Sequence, residues 1–442
     1  MGVILLIIAS VVEVIWGIFC IKSKSSNRRI KSWINIGEFG IFLILIVLDV
    51  VQWSFRWYLF GGILLARAIM SIITLISRKY NSKAFRPIRF AFKTVAIVLI
   101  MVLALMPAMI FPQYRLPQVT GKYEVKTAVF TYTDSRRVES SSNQKSNRSI
   151  TAEFWYPINA DKKYPLIVFS HGAFGIRASN TSTFNELASN GYVVCSLDHP
   201  YQSFFTVDIN KKITIADKSF IQEVIDVNNG VFSDEKALKL EQKWLEVRTQ
   251  DMNFVLDTIK NKAEEAGSNP VYKLIDTKKI GLLGHSLGGA AAVQLGRERQ
   301  DVAAVINLDA DLLGEYEGFK EGRPVINNRP YTVPLLSIYT DDMLSGFAKA
   351  AASGIVVPRD IISKNVNSSF EVSISGTNHM SLTDLPLFSP VLVSMISGSV
   401  KKISVRHEAD KYFVIETMNK IVLEFFDCYL KGAGSFHSAG AY

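Results

Sequence analysis

Ser286 stands in Gly284-His285-Ser286-Leu287-Gly288, behind the apolar run Ile280-Gly281-Leu282-Leu283 and ahead of the small residues Gly289-Ala290-Ala291-Ala292. A short apolar run, a Gly-x-Ser-x-Gly turn and a small-residue stretch read as buried strand, sharp turn and helix start. Such a turn holds its serine in a strained backbone conformation. Glycines two positions either side leave room for the crossing strand and helix. The feature demands a fold in which a strand feeds a helix, and it presents Ser286 as a nucleophile.

The chain around it supplies such a fold. From residue 150 onward apolar strands alternate with helical patterns, the sign of a mostly parallel sheet with crossover helices. The patterning predicts strands at 150–156, 165–170, 192–197, 279–284, 303–308, 333–339 and 370–375. Helices are predicted at 181–190, 240–262, 287–297 and 409–430. An alternating run at 123–132 predicts an exposed strand, and the polar stretch 134–149 reads as a loop. Between Pro200 and Lys239 the pattern breaks into a mixed, polar insertion, either a cover over the active-site edge or a plain surface loop.

The first quarter of the chain differs in kind. Residues 1–111 hold 13 Lys/Arg against 3 Asp/Glu, and the remainder 36 against 37, so the net charge of +9 belongs to that quarter. Without a basic face on the remaining residues, nucleic-acid binding is not expected. Apolar stretches at about 3–21, 34–52, 58–77 and 94–111 are each long enough to cross ~30 Å of hydrocarbon as a helix. Basic residues crowd 22–33 and 78–93, whereas 53–57 carries only Arg56. The positive-inside bias therefore places both basic loops in the cytoplasm and everything from 112 onward outside. Pro112 to Gly121 reads as a short stiff linker. Glu13 and Arg67 fall at similar depth in parallel spans, where opposite charges are expected to pair and hold the bundle together. Cys20, Cys195 and Cys428 have no metal or redox spacing. Disulfides are therefore not expected to support the outward portion, which suits a bacterial cell surface.

A serine hydroxyl needs an imidazole to take its proton. His285 lies inside the turn, His171 and His199 precede the serine, His407 begins the last helix and His437 lies in the tail. His379 remains, in the loop Gly376-Thr377-Asn378-His379 after a strand. The α/β-hydrolase order of serine, acid, histidine along the chain gives it the base role. The acid then lies between them, at a strand's end. Asp309 qualifies, and so do Asp341 and Asp342, the later pair being the usual place on strand count. The loop His171-Gly172-Ala173-Phe174-Gly175, directly after a strand, can aim backbone N–H groups at a reacting carbonyl oxygen. No His-Glu-x-x-His or Cys-x-x-Cys occurs, so no metal or other cofactor is expected.

Several motifs carry a resemblance over about 150–390: Tyr164 to Gly175, Leu187 to Val194, Gly284 to Ala290, Asn307 to Ala310, and the helix Trp244–Thr258. In this order they resemble plasma-type platelet-activating-factor acetylhydrolases and related bacterial esterases. The resemblance implies that Asp309, in Leu308-Asp309-Ala310, is the acid, with Asp341 the alternative. It also implies oxyanion donors at Ala173 and Leu287. The expected molecule is an α/β-hydrolase fold at 150–442, joined through 112–149 to a four-helix transmembrane region at 1–111. It would be a membrane-anchored serine esterase, multi-pass in the cell membrane and facing outward, acting on lipid-like esters such as membrane lipids, with a short or modified acyl group. The rival readings are an esterase for soluble esters or polyesters, and a membrane sensor that uses the hydrolase fold for binding.

Overall fold

The computed structural model describes residues 2–25, 27–77, 86–139, 146–158, 162–267, 269–365, 368–399 and 408–442. His407 and residues 78–85 of the second basic loop lie outside them. The chain forms two compact units, Met1–Arg115 with Leu387–Met395, and Leu116–Pro386 with Ile396–Tyr442.

The first unit contains α1 (Gly2–Ser23), α2 (Arg28–Val47), α3 (Phe55–Ser77) and α4 (Pro87–Ile110). Asn27 accepts a hydrogen bond from Ile30 N and so caps α2, which takes in Arg28, Arg29 and Lys31 and ends at Val47. The helix therefore lies earlier than the apolar run 34–52 suggests. Pro87, whose fixed φ suits a first helical position, likewise starts α4 ahead of residue 94. Among the described residues, α2, α3 and α4 are long and apolar enough to cross a membrane. The fourth expected span corresponds to α1, which has the length, but its side chains at 2, 3 and 6 are outside the described set. Phe42, Trp57, Leu64, Met101 and Leu105 form the packed centre of the unit. Glu13 is buried there too, accepting from Lys31 Nζ at 2.7 Å and from Arg67 Nη2. Arg67 also donates to Asn35 Oδ1 at 2.7 Å. The expected pair of Glu13 and Arg67 is present, with Lys31 and Asn35 added to it.

The second unit is built on a nine-stranded sheet in the order β1-β2-β4-β3-β7-β8-β11-β12-β13. Its first half comprises β1 (Val125–Val138), β2 (Asn147–Pro157), β3 (Tyr164–Ser170) and β4 (Val193–Leu197). A two-stranded hairpin, β5 (Phe205–Val207) and β6 (Ile213–Ile215), stands apart from that sheet. The second half comprises β7 (Ile275–His285), β8 (Val302–Leu308), β11 (Leu335–Thr340), β12 (Ser369–Ile374) and β13 (Gly440–Ala441), with a side hairpin β9 (Tyr316–Lys320) and β10 (Arg323–Ile326). The helices that matter below are α5 (Thr181–Ser189), α6 (Lys218–Asn228), α7 (Asp234–Glu264), α8 (Pro270–Lys273), α9 (Leu287–Glu298) and α10 (Asp341–Ala352).

From β4 to β13 all neighbours are parallel, and β1 and β2 close one edge antiparallel. Leu166 and Val168 of β3 enter one core with α7 and α9, while Ile167 and Phe169 enter the other with α5 and the helix Lys411–Phe426. That period of two on a strand apolar on both faces is what a sheet covered on both sides requires. The segment 134–149 is less of a loop than its polarity implies. Asp134 pairs with Arg148 and Val138 with Asn147, because an edge strand can show polar side chains to water.

Candidate active site

The parallel strands deliver their carboxyl ends to one edge of the sheet, the place where open α/β sheets hold their sites. Ser286 follows β7 there with φ +55° and ψ −131°. The two glycines of its motif have no room for a side chain. A Cβ on Gly284 would lie 2.1 Å from Gly288 O, and one on Gly288 2.1 Å from Ser170 O. Ser286 N donates to Leu308 O at 2.8 Å, which ties the turn to the end of β8.

Asp309 follows β8, also at positive φ, and is buried. Its Oδ1 accepts from Thr340 N at 2.7 Å and its Oδ2 from His379 Nδ1 at 2.7 Å. A carboxylate can only accept, so Nδ1 carries a ring hydrogen, and in the neutral ring that leaves the lone pair on Nε2. The His379 side chain is 39% exposed, so that second nitrogen can be reached. The carbonyl of His379 accepts from His285 Nε2 at 2.9 Å. Burial, followed by the neighbouring His379, pushes the His285 imidazole down to about 3, so it stays a neutral donor bracing the loop.

Of the two acid positions left open by the residues, the geometry brings Asp309 to His379. Asp341 starts α10, and its Oδ2 accepts from Gly376 N at 2.8 Å, bracing the loop that ends in His379. Asp342 lies beside it in the first turn of α10.

Ala173 lies in the loop after β3, and Leu287 at the first position of α9. Gly172 lies against the serine: a Cβ there would come within 3.0 Å of Ser286 Cβ. Phe174 N donates to Gln202 O and Gly175 N to Gly172 O, each at 3.0 Å. The Gly172 carbonyl also accepts from Arg248 Nη2 at 3.2 Å and from its neighbour's ring, His171 Nδ1, at 2.7 Å. A trans peptide points its N–H opposite to its C=O. The donors that hold Gly172 O therefore fix the direction of the Ala173 N–H.

Arg248, wholly buried on α7, is the residue that sequence reasoning missed here. It donates to the carbonyls of His171 and Gly172 and to Gln202 Oε1 at 2.8 Å. Beside it runs a second serine–histidine–carboxylate line, with Ser170 Oγ 2.8 Å from His199 Nε2 and His199 Nδ1 2.9 Å from Asp251 Oδ2. All three are closed to solvent, and Arg148 grips Asp251 through two nitrogens. Burial holds His199 down at about 4, and without access this line supports the loop instead of reacting. No local signal marks these residues, which meet only through the packing of α7 under the sheet edge.

Comparison with known proteins places the site in context. The family model for platelet-activating factor acetylhydrolase, isoform II, matches residues 145–438. The platelet-activating factor acetylhydrolase of Canis lupus familiaris is 31% identical over 36% of this chain and 37% of its own length. That of Cavia porcellus is 22% identical over 64% of this chain and 61% of its own. A probable 1-alkyl-2-acetylglycerophosphocholine esterase of Arthroderma benhamiae is 28% identical over 38% of each. The chain thus matches less than two thirds of the length of these relatives. A solved ferulic acid esterase from Streptomyces cinnamoneus superposes with a TM-score of 0.54 at 20% identity, over 72% of this chain and 94% of that one. At that identity it shows the fold alone.

Proposed function

The chain belongs to the platelet-activating factor acetylhydrolase isoform II family, and from that premise we propose that it is a serine hydrolase of carboxylic esters. Ser286 Oγ attacks the ester carbonyl while His379 Nε2 takes its proton, forming the serine–carbon bond. His379 then returns the proton to the departing alcohol, and water, activated by the same nitrogen, releases the acid. Asp309 holds the ring in one tautomer and stabilises its charged form. The N–H groups of Ala173 and Leu287 bind the oxyanion. The observation that carries this reading is the 2.7 Å contact of Asp309 with His379, whose carbonyl is held by His285, the residue before a serine at φ +55°.

Phospholipid-like esters with a short or modified acyl group are the substrates in this reading. Two features support it: the substrate named for the fungal relative, and helices able to cross a membrane. Residues 1–111 anchor the chain, 112–149 connect, and 150–442 catalyse on the outer face of the cell membrane. The full-length chain should hydrolyse a 2-acetyl ether phospholipid and a p-nitrophenyl ester, and Ser286→Ala should do neither. Retained hydrolysis in Ser286→Ala would refute the reading. On intact cells, an impermeant maleimide should modify Ser219→Cys and leave Ser25→Cys untouched; the reverse pattern would put the hydrolase inside.

A further inference from the structure

The insertion after β4 is built the wrong way out for water. In the β5–β6 hairpin Phe205 pairs with Ile215 and Val207 with Ile213, with Thr206 opposite Thr214. Alternation puts Phe205, Val207, Ile213 and Ile215 on one face and the threonines on the other. A half-exposed hairpin in water turns its apolar face inward. Here Thr206 is buried, whereas Ile213 and Ile215 are 66% and 65% exposed. Phe204 and Ile209, at the base and the tip, extend the exposed apolar surface.

The rim of this surface is cationic. Lys211, Lys212 and Lys218 are exposed. The nearby acids are turned onto backbone: Asp208 accepts from the N–H groups of Asn210 and Lys212, and Asp217 caps α6. The base of the hairpin is tied to the loop that carries Ala173. Phe204 N donates to Gly175 O at 3.3 Å, and Arg177 Nη1 to Val207 O at 3.4 Å.

We infer that this hairpin docks on an anionic bilayer surface and presents lipid esters to the loop of Ala173; the inference rests on the lipid-ester reading above. Apolar side chains ringed by lysines fit the headgroup boundary, with the rings and branched chains below and the ammonium groups among the phosphates. The chain carries helices of membrane-crossing length, so a bilayer is always within its reach. A second copy of the chain fits less well, because a stable dimer needs about 20–30 residues a side and this face offers a handful.

The test uses the full-length chain with its three native cysteines replaced, reconstituted in phosphatidylcholine–phosphatidylglycerol bilayers. An environment-sensitive fluorophore is placed on Ile213→Cys or, as a control, on Lys239→Cys. Docking predicts a blue-shifted emission at 213 that brominated lipid quenches, and neither effect at 239. With all of Phe205→Ser, Ile213→Ser and Ile215→Ser, turnover of phospholipid in vesicles should fall roughly tenfold or more, while p-nitrophenyl acetate turnover stays within about twofold. A fluorophore at 213 that remains in water overturns the inference, as does self-quenching that dilution of the protein relieves, the sign of a second copy. Equal loss on both esters overturns it too, since the hairpin would then only support the loop. If the wild type cleaves neither ester, the hydrolase reading fails, and the quenching result alone still decides whether the hairpin docks.

Discussion

In the helical unit Ile7, Ile15, Ile44 and Met70 are exposed and Glu13 is 2% exposed; in the sheet unit Leu166, Leu282 and Ile338 are fully buried and Lys239 and Lys243 stand in solvent. The inversion follows the medium each unit is suited to, since hydrocarbon solvates aliphatic groups and leaves charged ones to find one another. Both units nonetheless bury charges, and the difference lies in what the pairing leaves over. Glu13 pairs with Lys31 and Arg67, and Arg67 also reaches Glu38 at 3.3 Å, so two acids and two bases balance within the bundle. Asp309 engages one nitrogen of His379 and leaves the other, on a part-exposed ring, open to a substrate. A buried charge cluster that closes on itself holds structure, and one that ends in an unused lone pair can do chemistry.

The largest effect should come from the open cluster. Asp309→Asn keeps the shape and removes the charge; the equivalent change in the best-studied triad costs roughly 10⁴ in turnover. Asp341→Asn, which alters only the brace on Gly376 N, should cost less than about tenfold on the same scale. The comparison breaks if ester hydrolysis survives Asp309→Asn and collapses in Asp341→Asn.

In the closed cluster the loss should be of protein, not of rate. Glu13→Gln or Arg67→Gln leaves a partner charge uncompensated in the bundle, at a cost of about 3 kcal/mol. The membrane-inserted level of each single variant should drop, and Glu13→Gln combined with Lys31→Gln, which leaves Arg67 with Glu38, should restore part of it. Normal levels for the single variants would show that the cluster does not hold the helices.

Arg248 sharpens the contrast, being a buried charge that acts through another group. Arg248→Lys should lower kcat by roughly 10- to 100-fold with KM nearly unchanged, because a misdirected Ala173 N–H weakens only the transition state. Arg248→Met should lose more. A change confined to KM, or to thermal stability with kcat intact, would reduce Arg248 to packing.

The readability of the sequence follows the same division. The elbow and the parallel strands were legible because their signals are local: apolar runs at a period of two, and glycines where a Cβ would strike backbone. The carboxylate that meets His379 was not. Asp309 and Asp341 both end parallel strands, strand count pointed to the later one, and only the family resemblance pointed to Asp309. What separates them is tertiary: Thr340 fixes Asp309 from the next strand, and Asp341 is taken up by Gly376. Arg248 was invisible because a mid-helix arginine reads as a solvated face until α7 is packed beneath the loop. The β5–β6 hairpin reads from the sequence as polar insertion although Ile213-Thr214-Ile215 alternates, since the segments are short and their apolar face is exposed. The long apolar helices begin elsewhere than their apolar runs because capping by Asn27 and the start at Pro87, not hydropathy, set where they begin.

The central claim is that Ser286 is an activated nucleophile, and covalent capture tests it most directly. The native full-length chain, treated with a fluorophosphonate probe and mapped by peptide mass spectrometry, should carry one adduct, on Ser286. Heat-unfolded chain and Asp309→Asn should react far more slowly. An absent adduct on active, folded wild type, or an adduct on another serine that persists in Ser286→Ala, would contradict the account.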